Sequence, residues 1–122
     1  ELLKYGINTI AIQSNDAETY PEDSFERMQE EAKLFDFSFP YLLDATQEIA
    51  KAYGAVCTPD FFGFNKNLEL QYRGRFDAAG RGEAPADNPR DLFNAMKLIA
   101  ETGHGPKQQV ASIGCSIKWF AE

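Results

Sequence analysis

Apolar and polar positions alternate most clearly in two places. Leu68, Leu70, Tyr72 and Phe76 interleave with Glu69, Gln71, Arg73 and Arg75, the period of a half-buried antiparallel strand. Ile113, Cys115, Ile117 and Trp119 interleave with Gly114, Ser116 and Lys118, which predicts an extended segment packing one face on the body. Helical spacing appears at Phe25, Met28, Ala32 and Phe35, and again at Leu92, Ala95, Met96 and Ile99, each set predicting an inward helix face. The apolar, β-branched run from Ile7 to Ser14 predicts a buried strand.

Capping and turn residues divide these stretches. Leu2, Leu3 and Tyr5 before Gly6 have the pattern of a helix end. Asp23 with Glu26, and Asp44 with Gln47, have capping-box spacing. The second pair opens a short helix that presents Ile49 and Tyr53 and stops at Gly54. The segment from Phe37 to Asp44 is a short extended piece. The stretch from Thr58 to Asn65 and the strand after it form a hairpin around Asn65-Lys66-Asn67. Asn88-Pro89 is an N-cap and first-turn pair for the last helix, which ends at Gly103. The order predicts a mixed α/β fold. A single domain over 1–122 is expected, with 106–122 as an extended C-terminal tail.

Composition narrows the function classes. The chain has 122 residues, 43% of them hydrophobic, with 10 Phe, enough for one packed core. No apolar run approaches the ~20 residues of a membrane helix. Net charge is −7 and the basic residues are scattered, which argues against nucleic acid as a partner. The two cysteines, Cys57 and Cys115, and the single His104 make no metal-ligand spacing, so no metal and no cofactor are expected. Glu30 and Glu31 read as a solvated face.

The candidate chemistry rests on the thiols. A nucleophilic cysteine needs a thiolate, commonly at a helix N-terminus, and neither cysteine begins a predicted helix. Cys57 reads as a small buried hydrophobe next to Thr58-Pro59. Cys115 reads the same way, with a resolving role as the alternative. A Cys57–Cys115 disulfide stays open; by chain entropy such a bond is worth about 4 kcal/mol. Asp60 either orients a proton or caps a turn. His104 lies in a Gly-flanked turn after a helix end.

Several separated stretches carry a resemblance: "SNDAETYPEDSFERMQEEA", "FPYLLD", "AKAYGAVCTPDFFGFN", "LQYRGRFD" and "SIGCSIKW". Together they resemble the thioredoxin-like redoxins of the alkyl hydroperoxide reductase / thiol-specific antioxidant (peroxiredoxin-like) family. The chain is similar in particular to a bacterial subgroup whose motif is Cys-Asn-His-Cys-Pro-Tyr. The resemblance implies a thioredoxin-like mixed sheet flanked by helices, and reduction of a peroxide or a protein disulfide at the expense of a thiol partner. A cytoplasmic location is expected with it. It also implies that Thr58 and Pro59 form a cis-proline loop facing the redox thiols, with Asp60 as a neighbour. The family's first strand and Cys-x-x-Cys motif have no counterpart in these residues. The expected sheet therefore lacks a strand between Ile7–Ser14 and the strand after Pro59, and an unpaired edge invites association. A non-catalytic thioredoxin-like binding or subunit-interface module is the alternative.

Overall fold

The computed structural model describes residues 2–36, 39–78 and 89–120. Among them are three α-helices and three two-stranded sheets, a mixed α/β fold. No helix among the described residues is long and apolar enough to cross a membrane. The chain divides into two compact units, Asn8–Val56 with Ser116–Glu122, and Glu1–Ile7 with Cys57–Cys115.

In the first unit, β1 (Ala11–Gln13) leads into α1 (Phe25–Leu34) and β2 (Tyr41–Leu43), followed by α2 (Glu48–Tyr53). β1 and β2 are parallel, with Ile12 opposite Leu42. Parallel strands need a long crossover, and α1 lies within it. The strand is shorter than the Ile7–Ser14 run predicts, and it is not buried throughout: Ile10 and Ile12 are 61% and 40% exposed. β1 has β2 as its one partner in the sheet, so the apolar pattern outruns the cover available.

The cap of α1 is also displaced from the expected Asp23. Ser24 takes that place, its hydroxyl oxygen accepting the Arg27 N–H at 3.3 Å. Asp23 instead ends a 3-10 turn that opens at Pro21, and its carboxylate accepts from Asn15 Nδ2 at 3.1 Å. Of the predicted inward face, Met28 is buried and Ala32 half-buried, while Phe25 and Phe35, at the helix ends, are exposed.

Before α2 the capping expectation holds in altered form. The Asp44 carboxylate accepts the N–H groups of Ile49 at 3.3 Å and Ala50 at 3.0 Å, and the Ser14 hydroxyl at 2.8 Å. Gln47 is left-handed (φ 65°) and is 1% exposed. Its Nε2 donates to the carbonyls of Ser14 (2.7 Å) and Lys118 (2.9 Å), and its Oε1 accepts the Phe120 N–H at 3.0 Å. Lys118 N–H donates to Asn15 Oδ1 at 2.8 Å, and Asp16 N–H to the Lys118 carbonyl at 2.7 Å. Backbone-to-polar bonds thus hold the C-terminal segment. Its alternating face is accordingly not packed as predicted: Ile117 is buried, whereas Trp119 is 41% exposed.

The second unit holds β3 (Cys57–Thr58), the antiparallel hairpin β4 (Phe61–Phe64) and β5 (Leu70–Gly74), α3 (Asp91–Thr102) and Cys115, the first residue of β6 (Cys115–Ser116), the strand that pairs with β3. α3 packs on the hairpin through Ala95, Met96 and Ile99 against Tyr72, with Leu92, Phe61 and Ile7 at the margin. This is the predicted inward face of the helix, and Gly103 ends it in the left-handed region (φ 79°). Asn88 of the expected cap lies outside the described residues. Gly63 is what lets the helix approach, because a Cβ there would run into the Met96 sulfur. In β5 only Tyr72 of the predicted inward set is buried. Leu68 falls in the turn (φ 60°, 83% exposed), and a bulge between Gly63 and Phe64 breaks the register. Phe76, beyond the strand end, stacks at 5.6 Å on Phe61. The turn is organised by buried Asn65, whose Oδ1 accepts from Asn67 and Glu69 and whose Nδ2 reaches the Gly103 carbonyl at 3.1 Å.

Two outcomes are expected. Gln47→Ala strands the Phe120 N–H and the Ser14 carbonyl and should destabilise the protein by about 1–3 kcal/mol, read from urea unfolding; faster amide exchange at Lys118–Phe120 should accompany it. The second concerns acid. Burial would raise the Asp44 pKa, but the Ala50 N–H, the Ser14 hydroxyl and the Ile49 N–H together hold it below the ordinary 3.8. A depressed folded-state pKa gives stability that is present above the unfolded value and lost as pH falls through the folded one. Asp44→Asn should therefore be less stable than the parent at about pH 7, with the difference shrinking toward about pH 3, as measured by unfolding midpoints.

Candidate functional site

The residues singled out by sequence gather where β3 turns into the hairpin. The Thr58–Pro59 peptide bond is cis, as the resemblance implies. Thr58 and Pro59 are exposed. The Thr58 hydroxyl donates to the Cys115 carbonyl at 3.4 Å. The Thr58 carbonyl lies against Gly114, and a Cβ at that glycine would collide with it. The chain's own C-terminal stretch thus occupies this side of the loop, and only a glycine admits it.

Cys57 is half-buried and its thiol is free. Its sulfur sits 3.8 Å from the Pro59 carbonyl, a long and weak contact. Burial pushes the thiol pKa up, the nearby Asp60 charge adds to this, and Arg73 opposes it. Cys57 is therefore held as the neutral thiol rather than the nucleophilic thiolate. Cys115 forms no disulfide and is exposed, which corrects the expectation that it packs inward with Ile117. β6 is only two residues long and both of its residues are exposed.

Asp60 neither caps a turn nor stands as an open acid. Its carboxylate side chain is 5% exposed and accepts from the Ser112 hydroxyl at 2.8 Å and from Arg73 at 3.3 Å. Ser112 Oγ also lies 2.6 Å from the Gly74 carbonyl, so its single proton is shared between two acceptors. The Arg73 guanidinium rests 5.1 Å over the Phe62 ring. Asp60 thereby ties the loop to β5 and to the stretch before β6. Ser112, Arg73 and Gly114 were not legible as site residues. Arg73 carries the sequence pattern of a solvent-facing strand position, and Ser112 has no local signal; Gly114 interrupts the apolar tail but shows no partner. His104 is set apart by its role: its N–H and carbonyl close on the Thr102 hydroxyl at the end of α3.

The charge arrangement gives a signed expectation. Iodoacetamide should modify Cys57 more slowly than an unburied thiol at mildly alkaline pH. Asp60→Asn removes the anion while keeping an acceptor for Ser112, and should speed Cys57 modification by lowering its pKa. Arg73→Gln should slow it. The rates are read by mass spectrometry of the Cys57 peptide, and equal rates in all three proteins would contradict the assignment.

The chain is similar to a hypothetical protein from Sinorhizobium meliloti 1021, with a TM-score of 0.90 and 43% identity over 99% of this chain and 66% of that one. It is likewise similar to an uncharacterized conserved protein from Geobacillus kaustophilus, with a TM-score of 0.89 and 43% identity over 99% of this chain and 64% of that one. The 122 residues thus span slightly less than two thirds of the length of each. No protein-family model and no curated protein matches the sequence.

Proposed function

We propose that these residues form the larger part of a thioredoxin-like thiol oxidoreductase that reduces a peroxide or a protein disulfide. In this reading the Cys57–Asp60 loop faces the redox thiols, and the sheet is part of a thioredoxin-like arrangement. The observation that carries it is the loop itself: a Thr58–Pro59 turn at the head of the β4–β5 hairpin, fixed by the buried Asp60 carboxylate. The working thiol pair is not within these 122 residues, which contain no Cys-x-x-Cys; it belongs to a longer protein. One thiolate attacks the O–O bond, releasing an alcohol or water and leaving a sulfenic acid, or attacks the S–S bond, releasing one product thiol and leaving a mixed disulfide. The second thiol then attacks that sulfur, displacing water or the other product thiol, and leaves a disulfide, which an external thiol reduces. Cys57, neutral and half-buried, serves as packing. The cytoplasm, where thiols stay reduced, is the proposed compartment.

The test is turnover of hydrogen peroxide, or of insulin disulfides, by the full-length protein with dithiothreitol as reductant. Thiol-dependent turnover is expected, and Cys57→Ser should change kcat/KM by no more than about twofold. A folded protein inert toward both substrates would overturn the proposal in favour of a non-catalytic module. Loss of turnover in Cys57→Ser would move the chemistry onto Cys57 itself and overturn its role as packing.

A further inference from the structure

The stretch from Gln109 to Cys115 is laid along strand edges of its own unit. The Gln109 side-chain amide donates to the Gln71 carbonyl at 2.8 Å and accepts the Arg73 N–H at 2.9 Å, so a side chain stands in for a partner strand on β5. The Val110 carbonyl accepts the Arg75 N–H at 2.9 Å, and the Ser112 hydroxyl reaches the buried Asp60 carboxylate at 2.8 Å. Gly114 lies on the Thr58 carbonyl, and the Cys115 carbonyl accepts the Thr58 hydroxyl at 3.4 Å.

This strap closes Thr58 on one side and leaves it open on another. In a β-ladder the N–H and C=O of one residue point to the same edge. The Thr58 carbonyl meets Gly114, so the backbone pairing capacity of Thr58 lies on the side that β6 fills. The side chains of Thr58 and Pro59 stay exposed. A small molecule can therefore reach the face of the loop. An extended peptide gains its backbone hydrogen bonds by adding to a strand edge, and that edge is taken. To reach it, an incoming chain must first break the ties of Asp60 to Ser112 and of Arg75 to Val110.

We infer that the Gln109–Cys115 strap is a specificity element: it keeps extended polypeptides off the Thr58 edge, so a redox thiol facing this loop takes a small hydroperoxide and not a protein disulfide. The inference rests on the redox reading and narrows it, with Gly114 as the residue on which the closure depends. A hydroperoxide needs no strand to hold it. Its O–O bond breaks as the S–O bond forms, the sulfur is oxidised to a sulfenic acid, and the leaving oxygen takes a proton and departs as water or an alcohol.

The test is the ratio of kcat/KM for hydrogen peroxide to that for insulin disulfides, measured on the full-length protein with dithiothreitol. The parent protein should favour peroxide by at least about 100-fold. Gly114→Ala forces the strap off the Thr58 carbonyl and should shift the ratio toward insulin by about tenfold. Ser112→Ala unties Asp60 without adding bulk and should shift it the same way by less. The folded fraction cancels in a ratio, so a poorly folding variant still reports. Insulin reduced as efficiently as peroxide by the parent, or a ratio unchanged in both variants, overturns the inference and leaves the redox proposal standing. Inertness toward both substrates overturns the two together. Amide exchange gives a reading that needs no turnover: the Arg73 and Arg75 amides, which donate to the strap, should exchange on the order of 100-fold slower than open-chain amides. Open-chain rates at both would remove the strap, and the inference with it.

Discussion

The buried side-chain amide of Gln47 ties the C-terminal segment to the rest of its unit. It bonds one carbonyl at the end of β1 and two backbone groups of the C-terminal segment. The bond to the Ser14 carbonyl is buried, and a buried group left without a partner costs about 1–3 kcal/mol. Gln47 reaches them from a left-handed backbone position, an uncommon choice for a residue with a Cβ. Asp44, three residues earlier, holds the first turn of α2 and the Ser14 hydroxyl. The short turn between β2 and α2 therefore sets both the start of the helix and the path of Ser116–Phe120. Hydrophobic burial in this unit is modest, with Met28, Ala50 and Ile117 the buried apolar residues among those described, so the polar network has a correspondingly large share in holding it together.

The other unit is organised in the opposite way. Its core is a helix face on a hairpin, and polar groups act at the margins: Asn65 at the turn, Arg75 with Asp91 at 2.7 Å where α3 begins, and Asp60 at the loop. Close approach rather than bond count decides its geometry. Gly63 admits Met96, and Gly114 admits the Thr58 carbonyl. Both positions lose their fit with the addition of one carbon.

This division explains which elements local sequence reveals. α3 was legible because its period, its apolar face and Gly103 agree on one answer. The hairpin was legible in outline, but the bulge at Gly63 and the turn conformation of Leu68 were not, since alternation assumes an unbroken register. Periodicity placed the tail's apolar residues on a covered face. Its real anchors are side chains of Asn15 and Gln47, whose choice of partner leaves no trace in local spacing. At the loop, Thr58 and Pro59 came from the resemblance, while the Asp60–Ser112 pair joins residues 52 apart in sequence and is visible only in three dimensions.

The same pair limits what chemistry the loop can do. Asp60 is held on both oxygens, so its charge cannot swing away from Cys57. Arg73 offers the compensating charge, but it is shared with Asp60 and is partly open to solvent, 41% exposed in its side chain, where its field is screened. Burial adds to the same side of the balance. The balance at this loop favours the thiol over the thiolate, and none of the three α-helices among the described residues begins at a cysteine. If, as proposed, Thr58 and Pro59 face a nucleophilic thiol, that thiol must bring its own stabilisation, from a helix N-terminus or a cation elsewhere in the protein. In the proposed reading the loop then contributes position, its Asp60 carboxylate held by Ser112 and Arg73.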